Sequence, residues 1–102
     1  MSNRAKGRRT ELKARDILQA AGYEVQLAPM PSRWARQTDL FGLFDLIAVR
    51  KSDARYIQVK TNNYPSRDLL EAISLWPNHP NSTKEIWRFI DGEKEPIVKI
   101  VG

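Results

Sequence analysis

The segment Tyr56-Ile57-Gln58-Val59-Lys60, taken together with Asp45, holds the residues of this chain best suited to chemistry. Side chains alternate along a strand, so Gln58 and Lys60 leave one strand on the same face. Asp45 lies within Phe44-Asp45-Leu46-Ile47-Ala48-Val49, a second run of strand character. If the two strands are neighbours, a carboxylate, an amide oxygen and an ammonium meet at one place. That set suits metal-assisted hydrolysis of a phosphodiester. The acid and a carbonyl oxygen hold a divalent ion, and the lysine stands beside the attacking water.

Positioning these groups requires a defined order of elements. Residues 5–21 read as a helix ended by Gly22, where a left-handed residue can close the last turn. Its apolar stripe is Ala14, Ile17, Leu18 and Ala21, with Gly7 on the same side. Glu11 falls near the edge of that stripe and brings a second carboxylate close to the buried face. Tyr23–Leu27 alternates and reads as a strand. Residues 28–37 read as a loop, broken by two prolines and carrying Arg33, Trp34 and Arg36.

Phe41–Arg50 and Arg55–Thr61 follow as strands joined by Lys51-Ser52-Asp53-Ala54, short enough to force an antiparallel hairpin. In that hairpin Asp45, Ile47 and Val49 share a face, level with Gln58 and Lys60. A second helix spans Arg67–Leu75, with Ser66 as N-cap and Pro77 beyond its end. Leu69, Ile73 and Trp76 lie on one side of it, and Trp76 and Trp87 read as core. Glu85–Ile90 and Ile97–Val101 form a last pair of strands around Asp91-Gly92. The order α-β-β-β-α-β-β predicts a layered α/β fold rather than a bundle or barrel. All of it is one domain, residues 1–102.

Composition narrows the chemistry. With no cysteine and a lone histidine, His79, thiolate and histidine-rich metal sites are excluded. Any metal must be held by oxygen, which favours Mg²⁺, with Mn²⁺ as a substitute. At 41% hydrophobic and 28% charged the chain has an ordinary globular composition. It shows no run that could span a bilayer and no signal peptide, so an intracellular, cytoplasmic location in a prokaryotic or viral setting is expected, with no membrane partner and no organic cofactor. The net charge of +5 is lopsided. Residues 1–60 hold 12 of the 17 Lys/Arg but only 6 of the 12 Asp/Glu. A basic half around an acidic pocket suits a polyanion such as DNA. Arg4, Lys6, Arg8, Arg9, Lys13, Arg33 and Arg36 are the candidate phosphate contacts, or else a solvated basic face. Trp34 either stacks on a base or lids the core.

Taken singly, an aspartate on a strand or a Gln-x-Lys face is ordinary wet surface. The convergence of Glu11, Asp45, Gln58 and Lys60 from three elements gives them meaning, because an acid among Phe44, Leu46 and Ile47 is costly to bury alone.

This pattern resembles the PD-(D/E)xK nuclease superfamily, with the closest likeness to archaeal-type Holliday junction resolvases and related phage and archaeal-virus nucleases. Lys6-Gly7, Glu11 and Ala21-Gly22-Tyr23 look like the N-terminal signature. Phe44-Asp45-Leu46-Ile47-Ala48 stands where the family has Pro-Asp and apolar residues, and Ile57-Gln58-Val59-Lys60 where it has acid-x-Lys. The likeness covers residues 4–64. Phe44 replaces the proline, which carries no chemistry. Gln58 replaces the usual acid, as it does in some members; its carbonyl still offers oxygen, but the site loses a charge. Asp39 is the reserve for the first acid.

The resemblance implies a restriction-endonuclease-like αβββαβ core, a mixed central sheet flanked by helices, with a C-terminal β-hairpin appended. It implies a Mg²⁺-dependent DNA endonuclease acting on branched DNA. Asp45, Gln58, the Val59 carbonyl and Glu11 would hold the metal, and Lys60 would orient water. Symmetric cutting implies a homodimer, joined through the Glu85–Val101 hairpin or the second helix. Two alternatives stay open: a non-catalytic nucleic-acid-binding domain with a lapsed site, and a nuclease subunit completed by another chain.

Overall fold

The computed structural model describes residues 3–29 and 40–102, with side chains from residue 7 onward. The elements are α1 (Asn3–Ala20), β1 (Glu24–Leu27), β2 (Leu46–Arg50), β3 (Asp53–Thr61), α2 (Arg67–Leu75), β4 (Ser82–Phe89) and β5 (Ile97–Val101). One five-stranded sheet carries them in the order β1-β2-β3-β4-β5. Every neighbouring pair is antiparallel except β3 and β4, which run parallel. A parallel pair needs a crossover, and α2 is that crossover. The α/β class and mixed sheet are as expected. No helix among the described residues is long and apolar enough to cross a membrane.

Each helix covers one face of the sheet. Beneath α1, Ala14 and Leu18 meet Leu46, Ala48, Ile57, Val59, Trp87 and Phe89. Beneath α2, Ile73 meets Phe44, Ile86 and Val101, with Tyr56, Leu69 and Trp76 packed against them. The α1 stripe departs from expectation. Thr10, Ala14 and Leu18 are the buried positions, whereas Ile17 is 38% exposed and Ala21 is at the surface. The helix leans toward the end of β3, where the Thr10 and Thr61 hydroxyls meet at 3.0 Å. The second helix is as read: Ser66 accepts from the Leu69 N–H, and Asp68 sits in the first turn. Its C-terminal carbonyls, Ser74 and Trp76, receive the buried Lys84 ammonium at 2.8 and 2.9 Å.

The far end of the α1 face carries a polar cluster. Arg55 makes a two-pronged pair with Glu85 at 2.7 and 2.8 Å, and Glu85 also accepts from Thr83 and the Trp87 indole. Burial pushes the Glu85 carboxyl up, but these donors outweigh it and hold it below its ordinary range. Asp53 accepts from the Tyr23 hydroxyl, Arg50 and Ser52, which lower it from 3.8 to about 2. A carboxyl depressed in the folded state stabilises fully above its unfolded pKa, and that contribution disappears as pH falls through the folded value. The thermal midpoint should therefore be flat from neutral pH to about 5 and fall steeply between about 4 and 2. Asp53→Asn should flatten part of that fall in melts recorded against pH; an unchanged profile would rule Asp53 out as its source.

Candidate active site

The site lies where β2 leaves β3. From Arg50↔Asp53 to Leu46↔Ile57 the two strands pair in regular register. One further step would set Asp45 opposite Gln58. Instead the Asp45 N–H donates to the Ile57 carbonyl at 2.9 Å, one residue out of step. Such a slip re-aims side chains, as a β-bulge does. Phe44 turns to the α2 side, with ring centroids 5.6 Å from Tyr56 and 5.1 Å from Trp76. Leu46 remains in the core under α1. The expected strand Phe41–Arg50 is thus interrupted, and Asp45 does not share a face with Ile47 and Val49 by simple alternation. Its carboxylate points along the sheet, where Oδ2 accepts the Val59 N–H at 2.7 Å.

That bond defines the centre. The N–H and C=O of a strand residue leave by the same edge, so the Val59 carbonyl faces the side that Asp45 occupies. On either side of Val59, Gln58 and Lys60 share the face opposite α1. Gln58 is 8% exposed, and its Oε1 is buried with no hydrogen-bond partner. An unsatisfied buried acceptor costs about 1–3 kcal/mol, and an unpartnered carbonyl oxygen is the kind of ligand a hard cation takes. Among the described residues, Lys60 makes no ion pair or hydrogen bond.

Glu11 arrives from the other layer. It pairs with Arg8 at 3.4 Å, and Arg8 donates to the Ala28 carbonyl at 2.9 Å. The Ala28 N–H in turn donates to the Asp45 carbonyl at 2.8 Å. Glu11 is thus connected to Asp45 through Arg8 and one residue of backbone. Glu11, Asp45, Gln58 and Lys60 do not share a face; they flank the open end of the sheet from both layers. A cleft of about 490 Å³ lies beside this end, lined by Gly7, Thr10, Val59, Lys60, Thr61, Asn62 and Asn63; of the four candidates it takes in Lys60 alone.

Among the described residues no three His, Cys, Asp or Glu cluster as a metal site. A cation here would have to use the glutamine and main-chain oxygens as well as carboxylates. Of the expected phosphate contacts, Arg9 and Lys13 lie exposed on α1, and Arg8 is half-buried on Glu11. Arg33, Trp34, Arg36 and the reserve acid Asp39 lie outside the described residues, as do the side chains of Arg4 and Lys6.

Three residues went unread in the sequence. Asn62 holds a left-handed conformation (φ 65°) after β3, fixed by its side chain on Asp91 and by its N–H on the Phe89 carbonyl. Asn at a strand end was the available signal for that turn. Arg88 is registered against Lys60, and Tyr64 stacks under Arg88; no local pattern announces either contact. No protein-family model, curated protein or solved structure matches this chain.

Proposed function

We propose that this chain is a Mg²⁺-dependent DNA endonuclease on a restriction-endonuclease-like core, working as a homodimer on branched DNA such as four-way junctions. The observation that carries the reading is the Asp45 carboxylate seated on the Val59 amide, between the strand neighbours Gln58, whose side-chain oxygen is buried without a partner, and Lys60, which has no ion pair among the described residues. Asp45, Gln58 Oε1 and the Val59 carbonyl would hold the ion, with Glu11 reaching it directly or through water. When bound, a divalent ion supplies water activation and neutralises phosphate charge.

The remaining work falls to side chains. Lys60 extends from the same strand face as Gln58 and can donate to the attacking water and to a non-bridging phosphate oxygen. Charge that develops on the phosphate then meets a cation already in place. The Val59 N–H fixes the Asp45 carboxylate, so the acid does not have to be ordered when substrate arrives. Arg9 and Lys13, exposed on α1, supply phosphate contacts that orient the backbone.

The test is cleavage of labelled single-stranded, duplex, flapped and four-way-junction DNA with Mg²⁺, Mn²⁺ or EDTA. Metal-dependent cutting that EDTA abolishes is expected. Binding without cutting under every metal condition would overturn the nuclease reading. It would leave a DNA-binding domain in which the glutamine marks a lapsed site.

A further inference from the structure

Lys60 and Arg88 are directly registered on the parallel strands β3 and β4, so both side chains leave the same sheet face. Like charges placed opposite each other on neighbouring strands are destabilising. Neither cation is paired with a carboxylate among the described residues. The Arg88 guanidinium donates only to neutral oxygens, the Asn62 carbonyl at 3.4 Å and the Tyr64 hydroxyl at 2.9 Å. Its Nε is buried with no partner. Two adjacent cations without a carboxylate between them among the described residues form a concentration of positive charge that suits an anion.

Tyr64 supplies the second half of the argument. The Arg88 guanidinium carbon lies 3.7 Å from the centre of its ring, so one ring face is taken. The residue is nevertheless 65% exposed. The stack is held from behind, because Asn62 is locked to Asp91 by two hydrogen bonds at 2.9 Å and Arg88 ties Asn62 to Tyr64. An aromatic held flat by an arginine and open to solvent is a platform for a base. The hollow behind it, between Tyr64, Leu70, Ile86 and Ile97, is about 20 Å³ and too small to take a base, so stacking must occur on the outside.

We propose that Tyr64 and Arg88 form, beside Lys60, a subsite for one unpaired nucleotide, its phosphate on Arg88 and its base on Tyr64. A base inside a duplex has no free face to offer, whereas a flap, gap or unpaired junction arm does. This deepens the nuclease reading and rests on it for the location of the cut: the substrate class is DNA with unpaired nucleotides at the scissile phosphate.

The test separates binding from cutting. Affinity is measured in EDTA for a single-stranded oligonucleotide, a flapped duplex and a blunt duplex, using wild type, Tyr64→Ala, Tyr64→Phe and Arg88→Met. Circular dichroism melts confirm that each variant folds. Wild type should prefer the unpaired probes by about tenfold or more, Tyr64→Ala should erase that preference, and Tyr64→Phe should keep most of it. A flapped probe with one abasic position should lose affinity on wild type but not on Tyr64→Ala. Equal wild-type affinity for blunt and flapped DNA, or a preference untouched by Tyr64→Ala, would overturn the subsite. The subsite stands if the preference is present although no metal supports cleavage, and the nuclease reading then falls. Conversely, metal-dependent cutting of the flapped duplex by Tyr64→Ala at the wild-type rate leaves the nuclease reading and removes the subsite.

Discussion

Lys60→Ala is expected to lower the metal-dependent cleavage rate by at least about 10²–10³-fold without lowering the melting temperature, which relief of the Lys60–Arg88 repulsion can only raise. The size follows from removing a preorganised donor from the developing charge. The absence of a stability cost follows from the structure, because Lys60 makes no ion pair or hydrogen bond among the described residues. Asp45 needs a more careful substitution. Its carboxylate holds the Val59 N–H at 2.7 Å, so Asp45→Ala removes a structural acceptor along with the charge. Asp45→Asn keeps an oxygen for that N–H and removes only the negative charge. Asp45→Asn should therefore be as inactive as Lys60→Ala and melt closer to wild type than Asp45→Ala, which should also lose the Val59 acceptor and about 1–2 kcal/mol of stability. Single-turnover rates beside thermal melts check all three. Wild-type rates in both Lys60→Ala and Asp45→Asn would end the assignment.

The largest effect on stability is expected at the other end of the sheet. Glu85 is 1% exposed and gathers Arg55, Thr83 and the Trp87 indole. Glu85→Ala leaves Arg55 charged and uncompensated; a stranded buried charge costs about 3–5 kcal/mol, and the 24% exposure of the Arg55 side chain puts this loss at the lower end. For a domain of this size, 3 kcal/mol corresponds to a Tm lower by roughly 12–24 °C. Glu85→Ala should show that loss. Arg55→Met combined with Glu85→Ala should cost less than the two single changes together, because the second removes a charge the first has stranded. A loss under about 1 kcal/mol for Glu85→Ala would mean that solvent already reaches the pair.

Local signals were legible where local chemistry decides the structure. Ser66 and Pro77 bracket α2 at the expected residues, and the short turn after Arg50 makes β2 and β3 the antiparallel pair that brings Asp45 to β3. The slip at Asp45 was not legible, because the Ala28 N–H and the Phe44–Tyr56–Trp76 aromatics that accompany it come from distant parts of the chain. Ile17 looked like core by periodicity. The Thr10–Thr61 contact accompanies a buried face centred on Thr10, Ala14 and Leu18 instead. Arg88 stayed invisible for the same kind of reason. Its place beside Lys60 depends on the parallel register of β3 and β4, which is set by the length and seating of α2.

The strands lie side by side in the order in which they occur along the chain. No strand has to insert between two that have already paired, so each one finds its edge free as it emerges from the ribosome. During synthesis the sheet can grow outward from β1 without any earlier pairing being undone. Only β4 must wait, since it joins β3 in parallel after α2 has been made. A nascent chain stalled after residue 75 would therefore present β3 as an unprotected edge, and that interval is where a co-translational chaperone would be needed most.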